Sequence, residues 1–206
     1  MNTLNEQLIG TWVSEDEDTT SNFTIAIHQN KYNVSGIDLS DGEIYKIEHI
    51  EWNGASLSFT TLMPSTGYSV KYDITPHSEN EAESALTVQE KWKKTSATSG
   101  KMTSSKAEKE ASSTIDERFL GVWVTEDEDS DVIVTIAAKG NQYQVSAYDK
   151  YDKEQFEIKN TLWDGTVLSF DVRVPSTGFR AKNAFSLSSP NQASLELTFY
   201  ENWIKI

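Results

Sequence analysis

The sequence has no cysteine, few basic residues and no long apolar run, and each of these absences excludes a class of protein. Without cysteine there is no disulfide framework, no thiolate nucleophile and no zinc site of the cysteine type, so stability must come from the apolar core. Only 18 Lys and Arg stand against 32 Asp and Glu in 206 residues, which gives a net charge of −14. Because such a chain repels phosphate backbones and anionic lipid surfaces, we expect no nucleic acid and no membrane among its partners.

The N-terminal residues carry neither the basic nor the apolar segment of a secretory signal, and no stretch reaches the roughly 18 apolar residues of a membrane-spanning helix. We therefore expect a cytoplasmic protein, although a mature chain after signal cleavage would look the same. Aromatic residues make up 11% of the chain, which is too many for a disordered acidic tail. The chain is expected to fold.

The sequence repeats itself at an offset of 111 residues. Residues 3–95 align with residues 114–206 without a gap, and about two fifths of the aligned positions are identical. The six tryptophans are three repeated ones, Trp12 with Trp123, Trp52 with Trp163 and Trp92 with Trp203. Two tandem domains follow, residues 1–95 and residues 114–206. Residues 96–113, which are rich in Ser, Thr, Ala, Lys and Glu, are predicted to be a flexible linker.

Each copy shows short runs of alternating apolar and polar residues that are separated by turn residues. This pattern predicts an all-β fold with about seven to eight antiparallel strands per copy. Short strands must protect their edges, and closure into a small barrel does so, so we expect two tandem meander barrels. The capping boxes Thr3-x-x-Glu6 and Thr114-x-x-Glu117 predict a short helical turn before each barrel.

The motif Gly-x-Trp follows each predicted helical turn, as Gly10-Thr11-Trp12 and as Gly121-Val122-Trp123. A helical turn, this motif and an antiparallel meander together resemble small bacterial lipocalin-like (calycin) domains. The resemblance implies a barrel that holds a small molecule, with a basic residue from the last strand over the first-strand Trp. Lys94 and Lys205 are the nearest equivalents of that basic residue.

The first functional hypothesis is a non-catalytic protein that binds a small apolar or aromatic ligand at the barrel mouth. In it, Trp12 with Trp92 and Trp123 with Trp203 form an apolar wall, and the inward-facing Glu90 and Glu201 orient a polar group. The other aromatic candidates are Tyr32, Tyr45, Phe59, Tyr143, Phe156 and Phe170. Two alternatives stay open: the aromatic side chains fill the barrel, and the two glutamates pair with Lys94 or with an indole N–H.

The repeated turn Pro-Ser-Thr-Gly-aromatic is the candidate rim of the binding site. Pro and Gly follow from turn geometry alone, whereas two hydroxyls and an aromatic ring at a loop tip are also what a ligand would meet. The rim candidates are Ser65, Thr66, Tyr68, Ser176, Thr177 and Phe179.

A repeated Glu-Asp-Glu-Asp run follows the first strand of each copy. Four adjacent carboxylates attract cations, so the runs are weak candidates for calcium, although their spacing is not that of an EF-hand and a solvated acidic loop is favoured. They also support the alternative function, an acidic module with packed barrels that binds a basic protein bivalently. The runs are Glu15, Asp16, Glu17 and Asp18, and Glu126, Asp127, Glu128 and Asp129.

An enzyme is the third hypothesis, and it has little support in the sequence. The three histidines, His28, His49 and His77, are not repeated, so no mechanism shared by both copies uses histidine. Glu90 and Glu201 are the only repeated inward acids, whereas carboxylate chemistry usually needs a pair. We expect no catalytic activity, and we expect no cofactor.

Overall fold

A computed structural model describes residues 4–16, 19–95, 115–126 and 130–206. The predicted linker 96–113 falls outside the described residues, and so do Thr3 and Thr114 of the capping boxes.

The fold is all-β and antiparallel, which confirms the predicted class. Across the described residues, fourteen strands form a sheet that is not closed, so the two closed barrels expected from the sequence are not confirmed. In the first copy the strands are β1 Gly10–Ser14, β2 Ser21–His28, β3 Lys31–Asp38, β4 Lys46–Trp52, β5 Leu57–Leu62, β6 Ser69–Pro76 and β7 Glu81–Lys94. In the second copy they are β8 Gly121–Thr125, β9 Val132–Lys139, β10 Gln142–Asp149, β11 Glu157–Trp163, β12 Val167–Arg173, β13 Arg180–Ser189 and β14 Gln192–Lys205.

The strands assemble into two compact units that do not follow the two copies. Unit 1 comprises Met1–Val88 together with Thr198–Ile206, and unit 2 comprises Gln89–Leu197. Strands β7 and β14 therefore each begin in one unit and end in the other. The end of β14 pairs with β1, which places Trp203 opposite Ser14, and the end of β7 pairs with β8, which places Trp92 opposite Thr125.

This exchange changes the predicted pairing of tryptophans. Trp12 shares the core of unit 1 with Trp203, and Trp123 shares the core of unit 2 with Trp92. The apolar walls expected from the order of the chain, Trp12 with Trp92 and Trp123 with Trp203, are therefore not formed. The ends of β7 and β14 have equivalent sequences, with a tryptophan and a lysine at the same positions. Either end can therefore complete the core of either unit.

A three-residue 3₁₀ turn precedes the first strand of each copy, at Glu6–Leu8 and at Glu117–Phe119. Its start is capped by Asn5 in one copy and by Asp116 in the other, and each side chain accepts from the backbone N–H two residues later. The indole Nε1 of Trp12 donates to the carbonyl of Leu8 at 2.8 Å, and Trp123 makes the same bond to Phe119. These bonds satisfy two buried indole groups and hold each turn against its core.

A lysine explains the glycine of the Gly-x-Trp motif. Gly10 has φ +139°, and a Cβ added to it would lie 2.8 Å from Cδ of Lys205. The lysine stem covers this glycine, and Nζ lies 5.0 Å from the centroid of the Trp12 ring and 2.6 Å from the carbonyl of Gln7. Lys94 covers Trp123 of unit 2 in the same way, at 4.9 Å. A basic residue therefore does cover each first-strand Trp, but the other copy supplies it.

Candidate ligand-binding cavity

The interior of unit 2 contains a cavity of about 230 Å³. Fourteen of the described residues line it, eleven of them apolar, and the three polar ones are Glu90, Ser130 and Asn183. Phe179, which follows the β12–β13 turn and is 42% exposed, also lines the cavity and places it within reach of the surface. An apolar cavity with a few polar groups is the usual composition of a small-molecule site.

Asn183 is a polar lining residue with an unpartnered atom in the described part of the chain. It lies on β13, it is only 5% exposed, and its Nδ2 atom is buried without a hydrogen-bond partner in the described part of the chain. A buried donor without a partner costs about 1–3 kcal/mol, so a native fold rarely retains one without a reason. An atom placed in the cavity to accept this bond would remove the cost.

Glu90 reaches the cavity from the end of β7. Its Oε2 accepts a hydrogen bond from the indole Nε1 of Trp92 at 2.9 Å. Trp92 is itself 2% exposed and packed in the core of unit 2, so this bond fixes the carboxylate on a rigid support.

Two of the substitutions between the copies remove a large ring from the lining of the cavity. Val134 and Asn183 occupy the positions that Phe23 and Tyr72 occupy in the first copy. In unit 1 the Phe23 ring lies 4.8 Å from Tyr72, 5.0 Å from Phe59 and 5.4 Å from Trp203, measured between ring centroids. Unit 1 thus fills with four rings the region that the shorter side chains leave open in unit 2.

The residues that line the cavity also differ in polarity from the aligned residues of the other copy. Ser21, Thr61 and Ser84 of the first copy correspond to Val132, Val172 and Leu195 of the second, and Tyr45 corresponds to Phe156. Only three of the fourteen lining positions are identical between the copies, compared with about two fifths along the whole repeat. The copies therefore differ more around the cavity than elsewhere, and the second copy is the more apolar one there.

Some of the equivalent polar groups of unit 1 are hydrogen-bonded within the fold, and others are not. Oε1 of Glu201 accepts from the Thr19 hydroxyl at 2.8 Å, and the Ser21 hydroxyl lies 2.9 Å from the Tyr45 hydroxyl. Burial raises the pKa of the Tyr72 and Tyr45 phenols, so both stay protonated at neutral pH. Among the described residues, Oε2 of Glu201, Nε1 of Trp203 and Oγ of Ser84 are buried without a partner, whereas Glu90 and Trp92 of unit 2 bond to each other.

The structure brings together only part of the candidate residues. Glu90, Phe156, Phe170 and Phe179 line the cavity, and Trp92 lies behind Glu90. In unit 1, Tyr45, Phe59, Glu201 and Trp203 are packed as described above. The first-strand residues Trp12 and Trp123 bond to the 3₁₀ turns, and the hydroxyls of Tyr32 and Tyr143 bond to the backbone of Asn5 and Asp116. The sequence analysis did not select Val134 or Asn183. Their alignment with Phe23 and Tyr72 of the first copy, which have large rings, could have indicated them.

The rim turns are held by a glutamate that the sequence analysis missed. The backbone N and Oγ of Ser65 both donate to the carboxylate of Glu43, at 2.7 and 2.8 Å, and Ser176 makes the same two bonds to Glu154. The Oγ1 atoms of Thr66 and Thr177 accept from the backbone N of Tyr68 and Phe179. These hydroxyls have a structural role, and Phe179 is the rim residue that lines the cavity.

Most of the two acidic runs lies outside the part of the chain that the structure describes. Glu17, Asp18, Asp127, Glu128 and Asp129 lie outside the described residues. In the part of the chain that is described, no group of three or more His, Asp or Glu side chains could hold a metal ion. Glu15 and Asp16 are exposed, and Oε1 of Glu126 accepts from Gln192 at 3.3 Å.

A second type of pocket occurs in both units, beside Trp52 in unit 1 and beside Trp163 in unit 2. The pocket of unit 1 is about 470 Å³ and includes Tyr32 and Trp52, whose ring centroids are 5.7 Å apart. The pocket of unit 2 is about 390 Å³ and includes Tyr143 and Trp163, 5.5 Å apart. Since each tyrosine hydroxyl already bonds to backbone groups of the preceding 3₁₀ segment, these grooves place no unsatisfied tyrosine hydroxyl in front of a ligand.

In the described ranges no helix is both long and apolar enough to cross a membrane. A comparison of the chain with protein-family models, with curated proteins and with solved structures finds no match in any of the three.

Proposed function

We propose that this chain is a non-catalytic binding protein that holds one small, mostly apolar molecule inside unit 2. The observation that carries the proposal is the buried amide of Asn183, which lines an apolar cavity and whose Nδ2 has no partner among the described residues. Folding around an empty space and an unsatisfied donor is unfavourable, and a ligand that fills the one and bonds to the other reverses both costs.

The size of the cavity fits a small ring system. A cavity of about 150 Å³ is enough to bind benzene, and this one measures about 230 Å³. Phe156 and Phe170 in the lining offer aromatic faces to such a molecule. The proposal keeps the lipocalin-like interpretation of a small-molecule binder, but it assigns the ligand to unit 2 and treats unit 1 as the filled counterpart.

Binding of indole, a neutral bicyclic probe, followed by ¹H–¹⁵N NMR, tests the proposal. Shifts are expected at cavity-lining residues of β9, β12 and β13 and not at their equivalents in β2, β5 and β6. Native mass spectrometry of the purified chain provides a second measurement, a co-purified small molecule that is released on unfolding. Shifts spread over both units, together with a chain of bare mass, would refute the proposal.

The first copy supplies matched control variants. Val134→Phe with Asn183→Tyr restores the two rings that unit 1 contains, and it should abolish indole binding. The reverse pair, Phe23→Val with Tyr72→Asn, should create a second site in unit 1. Ala181→Val, which also introduces the residue of the first copy, is a milder change that keeps the test informative if the double variants fold poorly. An unchanged affinity in folded Val134→Phe, Asn183→Tyr protein would place binding elsewhere.

The alternative function, an acidic module that binds a basic partner bivalently, is favoured by the presence of the same acidic run in both copies. It predicts salt-sensitive binding of an oligolysine peptide that is lost only when both runs are changed to Ser. The ligand proposal predicts that the same change leaves indole binding intact.

A further inference from the structure

We infer that the molecule held in unit 2 is an aromatic compound with a carbonyl group on its ring, such as an aryl ketone, aldehyde or amide. This inference rests on the proposed function, because it names the chemical class that the same cavity selects. Three observations carry it: the register of two strands that line the cavity, the ring arrangement at the equivalent place in unit 1, and the buried amide of Asn183.

Phe170 and Asn183 are neighbours in the sheet that lines the cavity. They are paired residues of β12 and β13, and both line the cavity. Side chains of paired residues on adjacent antiparallel strands lie on the same face, with Cβ atoms about 4.5–5.5 Å apart. The aromatic face of Phe170 and the amide of Asn183 are therefore close enough to contact one small molecule together.

The same pair of positions in unit 1 shows how a ring fits there. The aligned residues are Phe59 and Tyr72, which are paired in the same way between β5 and β6. Their rings stack, with centroids 5.4 Å apart and planes inclined by 12°. Unit 2 keeps the phenylalanine and has the shorter Asn183 in place of the tyrosine. A ligand ring that stacks on Phe170 would thus take the place of the tyrosine ring.

Asn183 specifies a polar atom beside that ring. Its side chain is almost fully buried, and Nδ2 has no hydrogen-bond partner among the described residues. Nδ2 only donates, so the atom that it selects is an acceptor. A carbonyl oxygen is a pure acceptor, whereas a hydroxyl group would bring a proton that needs a partner of its own. Because eleven of the fourteen described lining residues are apolar, a pure acceptor joined to a ring matches the cavity best.

Acetophenone and α-methylstyrene, two uncharged probes of nearly the same shape, test this inference. The first has a carbonyl oxygen where the second has a methylene group. Because the hydrocarbon leaves water more readily than the ketone, the informative quantity is the ratio of the two affinities, compared between the wild-type full chain and Asn183→Leu. NMR titration of each protein gives both dissociation constants.

In Asn183→Leu the affinity for acetophenone should fall about tenfold, because the ketone loses its hydrogen-bond donor. The affinity for α-methylstyrene should stay within about twofold, since leucine has roughly the size of asparagine and the hydrocarbon makes no hydrogen bond. Ser84→Ala is the control in unit 1. It also removes a buried polar atom that has no partner among the described residues, and it should change neither affinity.

The side-chain amide of Asn183 provides a second measurement. In the ¹H–¹⁵N spectrum of the wild type, acetophenone should move the Asn183 NH₂ signal to higher proton shift, because a hydrogen bond to the carbonyl deshields the amide proton. α-Methylstyrene should move it less. Nuclear Overhauser contacts between ring protons of the probe and Phe170 should appear with both compounds, since stacking does not need the carbonyl group.

The outcomes separate this inference from the proposed function. An equal loss of affinity for both probes in folded Asn183→Leu, or an Asn183 amide signal that bound acetophenone leaves in place, would overturn the carbonyl assignment while unit 2 remained a ligand site. Absence of binding by both probes would also overturn it, and indole binding and native mass spectrometry would then decide the proposed function on their own. Loss of acetophenone binding in folded Ser84→Ala would assign the ketone to unit 1 and overturn the inference as well.

Discussion

Trp203, three residues from the C-terminus, stacks on Phe23 of the second strand, with ring centroids 5.4 Å apart and planes inclined by 26°. Both side chains are fully buried. The first copy therefore completes its core with the last strand of the second copy, and the second copy completes its core with Trp92 from the first.

Trp203→Ala should destabilise unit 1, although residue 203 belongs to the second copy. Removing a buried tryptophan costs about 3–5 kcal/mol. In hydrogen exchange followed by mass spectrometry, the amides of β2 and β3 should lose protection, while those of β9 and β10 should keep most of theirs. Trp92→Ala is the matched variant and should give the reverse pattern. If Trp203→Ala instead removed the protection of β9 and β10, which belong to the same copy as residue 203, the result would contradict the exchange of strand ends.

Asn183→Leu should stabilise the chain while it impairs binding. The substitution removes a buried unpaired amide and adds apolar surface to the cavity, so the free energy of unfolding should rise by about 1–2 kcal/mol. Tyr72→Leu at the equivalent position of unit 1 should lower it, because that change removes a packed ring. Urea denaturation of both variants checks the pair, and destabilisation by Asn183→Leu would show that the amide is already satisfied.

Gly10→Ala should be more destabilising than an ordinary glycine substitution. The residue has φ +139°, and a new Cβ would lie 2.8 Å from Cδ of Lys205. We expect a loss of about 2–3 kcal/mol in thermal or urea unfolding. Gly67→Ala is the control, because Gly67 has φ +74° and open space around it, so only the backbone cost of about 1 kcal/mol remains. Equal effects of the two substitutions would exclude a packing role for Lys205.

Protonation of Asp38 should make the chain less stable in acid. Hydrogen bonds from the Ser40 hydroxyl, the Thr20 hydroxyl and the backbone N–H of Ser40 hold the pKa of this buried carboxyl below its ordinary value. Because the folded pKa is lower than the unfolded value of about 3.9, the stabilisation is present above about pH 4 and is lost as the pH falls through the folded pKa.

Asp38→Asn should therefore reduce the free energy of unfolding by about 2 kcal/mol at neutral pH and by progressively less below about pH 4. Denaturation curves over this range measure the difference between the two proteins. Thr20→Val with Ser40→Ala removes the two hydroxyl donors and should flatten the same pH dependence. A difference that stays constant from neutral pH into strong acid would rule out this carboxyl as the source.

Much of the architecture was predictable because it depends on local pattern. Alternation in runs such as Phe23-Thr24-Ile25 predicts strands, since successive side chains of a strand point to opposite faces. The offset of 111 residues predicts that whatever one copy forms, the other forms too. The same alternation placed Glu90 on the inward face, and it lines the cavity.

The tertiary structure decided two features that local pattern does not contain. Trp92 and Trp203 end strands of equivalent pattern, so the sequence alone does not specify which unit each one completes; strand pairing with β8 and β1 decides it. The cavity depends on Val134 and Asn183, two ordinary substitutions on different strands that leave space only because the fold makes their missing rings neighbours. Periodicity fixes the direction in which a side chain points, whereas the volume it shares with distant residues is a property of packing.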